Sequence, residues 1–141
     1  MSKAHEYLSQ LTNIEIRIDN LIEEAEKWHS KATSVSVSTE GERVKASGSQ
    51  QRMADAATQA TFYEMQAREK AGEYMAKEHE ILEKLNAMSD IVEYRVLYLK
   101  YVKRKGITEI SKEIHFSRAT TGRILNRALS NFEKKLKNDT V

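Results

Sequence analysis

The sequence has no cysteine and no proline. Without cysteine there is no disulfide framework, no thiolate metal site and no thiol nucleophile. Without proline nothing compels a helix to stop, so long helices are easily built. Glycine is scarce: the five in the chain mark the expected breaks. No apolar run approaches the length that crosses a bilayer, so no membrane partner is expected. The opening residues, MSKAHEYLSQ, lack the apolar core of a secretory signal, which gives the cytoplasm as the expected location. What is present is charge. Of 141 residues, 31% are charged and 40% hydrophobic, with a mean hydropathy of −0.65. That balance suits one ordinary domain or two small ones, built of helices with much exposed surface.

The net charge of +2 conceals an asymmetry. Residues 1–89 hold 11 Lys and Arg against 15 Asp and Glu, a net of −4, and residues 90–141 hold 12 against 6, a net of +6. A polyanion partner is therefore expected for the second part only.

Tyr7, Leu11, Ile14, Ile18, Leu21, Ala25 and Trp28 recur at alternating spacings of four and three, a heptad seam. Leu8 and Ile22 widen it. A seam of this kind serves a dimerising coiled coil or a helix packed within its own subunit, and the spacing does not choose between them. Residues 32–50 are serine-rich and lack a helical stripe, which reads as a linker. A second long helix is expected from near Ser49 to about Met88. Met53, Ala57, Ala60, Ala67, Ala71, Tyr74, Ile81, Leu85 and Met88 keep its register. The simplest arrangement folds it back on the first as an antiparallel hairpin. Two helices make a thin core, so packing between subunits is expected. The first domain is thus a helical hairpin over 1–88, serving oligomerisation as a homodimer. A second domain follows over 89–141.

The second domain opens with Ser89 or Asp90 as an N-cap. Ile91, Val92, Val96, Leu99 and Val102 supply apolar positions. KRKG at 103–106 ends that helix, with Gly106 in the C′ position. Ile107, Ile110, Ser111 and Ile114 form the inner face of a short helix. His115-Phe116 makes a turn, and Ser117 caps a last helix. Thr121, Ile124, Leu125, Ala128, Leu129, Phe132 and Leu136 form its buried stripe. The order is a helix-turn-helix. Arg118, Arg123 and Arg127 cannot all lie on the apolar stripe, so they are expected to face outward. An exposed helix carrying outward arginines fits the major groove of DNA.

The stretch ITEISKEIHFSRATTGRILNRAL, residues 107–129, lies in a segment (89–136) that resembles region 4 of bacterial sigma factors. Glu109-Ile110, Ile114, Ser117-Arg118, Thr120, Arg123-Ile124 and Arg127-Ala128-Leu129 carry the likeness. Ser111 stands where the family has a small alanine, His115 where it has the turn glycine, and Thr121 where it has valine. His115 is accordingly expected at positive φ, which histidine tolerates better than most. The resemblance implies base-edge contacts from Arg118, Ala119, Gly122 and Arg123. It implies phosphate contacts from Ser117, Thr120 and Arg127, and Asn126 joins the same candidate DNA-binding set. More broadly, the chain is similar to the ArpU-like and RinA-like late-transcription regulators of phages and prophages of Gram-positive bacteria.

The expected architecture is thus all-α: a long N-terminal helical hairpin or coiled coil followed by a sigma region 4-like helix-turn-helix. The expected function is sequence-specific binding of double-stranded DNA, activating phage late or packaging genes in a bacterial cytoplasm. Host RNA polymerase is a further expected partner. The alternative is a phage small terminase subunit, which also joins a helix-turn-helix to oligomerising helices. No enzyme, cofactor or metal site is expected. His5, His29, His79 and His115 are scattered, and no glycine-rich phosphate loop or nucleophile constellation occurs.

Overall fold

The structure, a computed structural model, describes residues 2–37 and 46–139. Its elements are all helical: α1 (Lys3–Leu8), α2 (Gln10–Val37), α3 (Ala46–Asn86), α4 (Ile91–Leu97), α5 (Ile107–Ile114) and α6 (Arg118–Asp139), with α4 running on into a π-helical turn at Tyr98–Val102. No strand occurs among the described residues, in keeping with an all-α chain. Of the linker expected over 32–50, residues 38–45 lie outside the described residues. Residues 32–37 and 46–50, by contrast, are helical. Serine lowers helix propensity by only tenths of a kcal/mol, roughly, so its abundance does not by itself break a helix.

The chain forms two compact units, Met1–Ile14 with Tyr74–Val141, and Glu15–Glu73. This division differs from the one expected at residue 88, and the core of the first unit gives the reason. Ala4, Leu8 and Leu11 from the chain start join Ile81 and Leu85 of α3, Leu97 and Tyr101, and Ala128 and Phe132 of α6 in a single buried cluster. Tyr7 lies against Phe132 with ring centroids 5.9 Å apart. His5 Nδ1 and the Tyr101 hydroxyl are 2.7 Å apart, and burial pushes the Tyr101 phenol from 10.0 up to about 12. The start of the heptad seam is therefore filled from within the same chain.

A second cluster in this unit holds Val96, Leu99, Ile110, Ile114 and Ile124. The helix from Ile91 feeds both clusters, Leu97 and Tyr101 into one and Val96 and Leu99 into the other. The widened π turn helps it face two ways. Ile91, expected among the apolar positions, is 72% exposed, whereas Val92 and Glu93 of the same turn face inward. The helix stop also differs from expectation. Arg104, at φ 58, is the left-handed residue that closes it. The Lys105 N–H donates to the Leu99 carbonyl at 3.0 Å. Gly106 instead has extended backbone and precedes α5 as its N-cap.

In the second unit α2 and α3 run antiparallel. Arg17 and Leu21 share a groove with Lys70 and Gln66, His29 is hydrogen-bonded to Glu64, and Trp28 and Lys31 lie with Arg52–Gln59. Here the buried side chains, among those described, are Ala25, Ala56 and Ala60. Ala57, expected at the seam, is exposed, and Ala56 takes the inward place. Larger apolar side chains stay outside: Ile22 is 44%, Phe62 50% and Met65 59% exposed.

Candidate functional site

α5 and α6 are joined by a tight, well-capped break. His115 is left-handed at φ 62 and ψ 40, as expected from its stand-in for glycine. The Phe116 N–H donates back to the Ser111 carbonyl at 3.2 Å. Ser117 then caps α6: its Oγ accepts from the Thr120 N–H at 3.1 Å, a contact worth about 1 kcal/mol. The Thr121 N–H and hydroxyl both reach the Ser117 carbonyl, each at 2.8 Å. Thr121 is fully buried, and that carbonyl satisfies its hydroxyl. Ser111 is likewise buried and donates its hydroxyl to the Thr108 carbonyl at 2.8 Å. A small residue at that point lets α5 and α6 approach closely.

These contacts fix which face of α6 is turned away. Ile124, Ala128 and Phe132 are buried, whereas Ser117, Arg118, Ala119, Arg123, Asn126 and Arg127 are exposed, and Thr120 and Gly122 are half-buried. A Cβ placed on Gly122 would meet nothing within 4 Å, so packing within the chain does not require glycine there. The first turn of α6 has no acidic residue. The positive end of its dipole is uncompensated and favours an anion.

Arg127 is tied back to α4. Its Nε donates to Glu93 Oε2 at 2.9 Å, and its Nη2 lies 4.0 Å from Asp90 Oδ2. Glu93 is only 3% exposed, and its other oxygen accepts from Asn131 Nδ2 at 2.7 Å. The sequence did signal this residue. Glu93 precedes Val96 and Leu97 by three and four positions and so shares their inward stripe. Asp90 is the N-cap of α4, accepting from the N–H groups of Val92 at 2.9 Å and Glu93 at 3.1 Å. The Glu93 N–H, then that of Val92, and then the Arg127 charge hold the Asp90 carboxyl below its usual range.

The basic run before α5 is largely occupied. Lys105 pairs with Glu113, Lys103 sits 5.6 Å over the Tyr98 ring, and Arg104 serves as the helix stop. No three metal-ligating side chains converge among the described residues. No helix of the described residues is long and apolar enough to cross a membrane.

The exposed face of α6 is thus an arginine-bearing, capped and rigidly backed surface, with one flank tied to α4. Neither a curated protein nor a solved structure matches this chain. Residues 33–133 match the family described as "Protein of unknown function (DUF1492)", and the chain belongs to that family.

Proposed function

We infer that this protein is a sequence-specific DNA-binding transcriptional regulator, with α5 and α6 as its helix-turn-helix and α6 as the helix that enters the major groove. The observation that carries this reading is the outer face of α6, where Arg118, Ala119, Arg123 and Asn126 all face solvent. No described helix of its own unit covers it. Arg118 and Arg123 supply guanidinium forks for guanine edges, and Ala119 supplies a methyl for thymine. Ser117, Thr120 and Arg127 border the phosphates. The net charge of +6 over residues 90–141 supports a polyanion partner. So does the resemblance of residues 107–129 to sigma region 4, which adds promoter recognition and a contact with RNA polymerase. On the broader likeness to ArpU-like and RinA-like regulators, the regulated genes are phage late or packaging genes.

The protein acts as a homodimer, and the second unit supports this. Among its described residues only alanines are buried, and Ile22, Phe62 and Met65 are exposed and available to a second copy. The mechanism follows in order. Lysines and arginines draw the unit to the duplex, α6 settles into the groove, and Arg118 and Arg123 select the sequence.

Replacing Arg118 and Arg123 singly by alanine tests the reading. Each change should cost about 1–3 kcal/mol at the cognate site and relax selectivity there, with the helical content unchanged. Undiminished affinity and selectivity in both variants would refute the recognition-helix assignment. Genomic footprinting places the site. Protection at a promoter fits the regulator, and protection at a packaging site with a ring-sized particle in solution fits a terminase subunit instead.

A further inference from the structure

The contact between Arg127 and Glu93 puts a buried acid directly behind an exposed arginine. At about 100° per residue, Ala119, Arg123, Asn126 and Ser130 form the outermost strip of α6. Arg127 and Thr120 sit about 80–100° round from Ala119 on the same side. That is the flank nearest α4, as the Glu93 contact shows. When a helix lies in a groove, its outermost strip and the side chains at its N-terminal end, Arg118 among them, meet base edges, and flank positions further along meet the groove walls, which are phosphates.

The Arg127 side chain is 58% exposed, whereas that of Glu93 is 5% exposed. Arg127 is engaged through Nε by Glu93 and more distantly through Nη2 by Asp90, 4.0 Å away, and more than half of its side chain remains open to the outside. Arginine has roughly 2 kcal/mol of rotamer entropy to lose on being fixed. An arginine already held on one edge loses less of it on meeting a phosphate. Glu93 is in turn held on its second oxygen by Asn131, so the hold is itself braced.

We propose that Glu93 is a positioning residue for phosphate recognition: its buried carboxylate fixes the Nε edge of Arg127, so that the remaining guanidinium is presented to a nucleic-acid phosphate on the α4 flank of α6. This rests on the DNA-binding reading above and adds an acidic residue to it. The role has a signed consequence. An acid near a duplex repels it, so removal of Glu93 alone should tighten binding by simple electrostatics. Removal of a positioning residue should weaken it.

The test is a four-protein cycle of wild type, Glu93→Met, Arg127→Ala and the double variant. Methionine keeps the length of the glutamate without its charge. Duplex affinity is measured across a salt series on a duplex selected by the wild type from a random-sequence pool, and on an unrelated duplex of equal length. Arg127→Ala should weaken both duplexes about tenfold, the loss of one charge-assisted hydrogen bond. It should also flatten the logarithmic salt slope by about 0.9. Glu93→Met should reproduce most of that loss and the flatter slope, and the double variant should be no weaker than Arg127→Ala.

Glu93→Met binding as tightly as wild type or tighter, with an unchanged slope, overturns the proposal. So do losses that add in the double variant, because a group acting through Arg127 has nothing to act on once Arg127 is gone. Circular dichroism and thermal unfolding check that the variants are folded. Should Glu93→Met fail to fold, Glu93→Gln is read in the same way, with a smaller loss expected because the amide oxygen still accepts from Nε. Wild-type protein without duplex binding refutes the regulator reading itself. Selective wild-type binding that Glu93 variants leave intact refutes only the positioning role.

Discussion

Gly122→Ala should make this protein more stable and a weaker DNA binder at the same time. Gly122 is the fifth residue of α6, inside the helix. Glycine there costs about 1 kcal/mol relative to alanine, since it loses more backbone freedom and packs nothing. A methyl at this position meets no atom within 4 Å, so no steric penalty offsets the gain. For a unit of this size, 1 kcal/mol raises the melting temperature by roughly 4–8 °C. The same methyl lies about 60° round from Ala119 on the flank away from Arg127, at the edge of the face that the proposed reading turns to the groove. It forces a closely fitted duplex outward, at a cost of about 1–3 kcal/mol if the misfit resembles overpacking. Thermal unfolding by circular dichroism reads the first effect and fluorescence anisotropy on the selected duplex reads the second. A lower melting temperature would show that something within the chain occupies that space. A higher melting temperature with undiminished affinity would place the duplex elsewhere than on this face.

Two further predictions concern the scaffold. Phe132→Ala, at a fully buried site shared by α1, α3 and α6, should cost about 3–5 kcal/mol, whereas Ile22→Ser on the exposed side of α2 should fall within about 0.5 kcal/mol in the monomer; urea denaturation compares them. Stability should also fall in strong alkali. Folding raises the Tyr101 phenol from 10.0 to about 12, so its contribution is intact below pH 10 and is lost as the unfolded chain ionises and pH climbs towards 12. Tyr101→Phe should flatten that part of the profile, and an unaltered alkaline limb in denaturant titrations would show that Tyr101 is not its source.

Much of the C-terminal unit was legible in the sequence because its signals are local. Ser117 followed by Thr120, the inward run of Ile110, Ser111 and Ile114, and the spacing of Ile124, Ala128 and Phe132 each specify a cap or a face within a few residues. His115 is the clearest case, since one position in a pattern told both its backbone angle and the turn around it. What was not legible depends on which distant segment fills a face. The periodicity of Leu8 and Leu11 says that they are buried, but only the fold says that Phe132 and Tyr101 bury them. Gly106 illustrates a different limit: positions two residues apart could close the helix, and the left-handed one is Arg104. Arg127 looked like its neighbours in sequence because its partner, Glu93, lies 34 residues away. In the second unit, a one-residue ambiguity between Ala56 and Ala57 could not be settled by a stripe of small side chains.

The interior of that second unit has a consequence for how the molecule can change over time. Where helices meet over Ala25, Ala56 and Ala60, small buried side chains let the two backbones come close, and a longer side chain at any of them acts on both helices. Positions a third of a turn away carry almost no such restriction. Drift in this arm should therefore be lopsided, with a few small residues held fixed while bulk, charge and even aromatic character come and go on the outside. The arm can acquire a new neighbour without first losing its own shape.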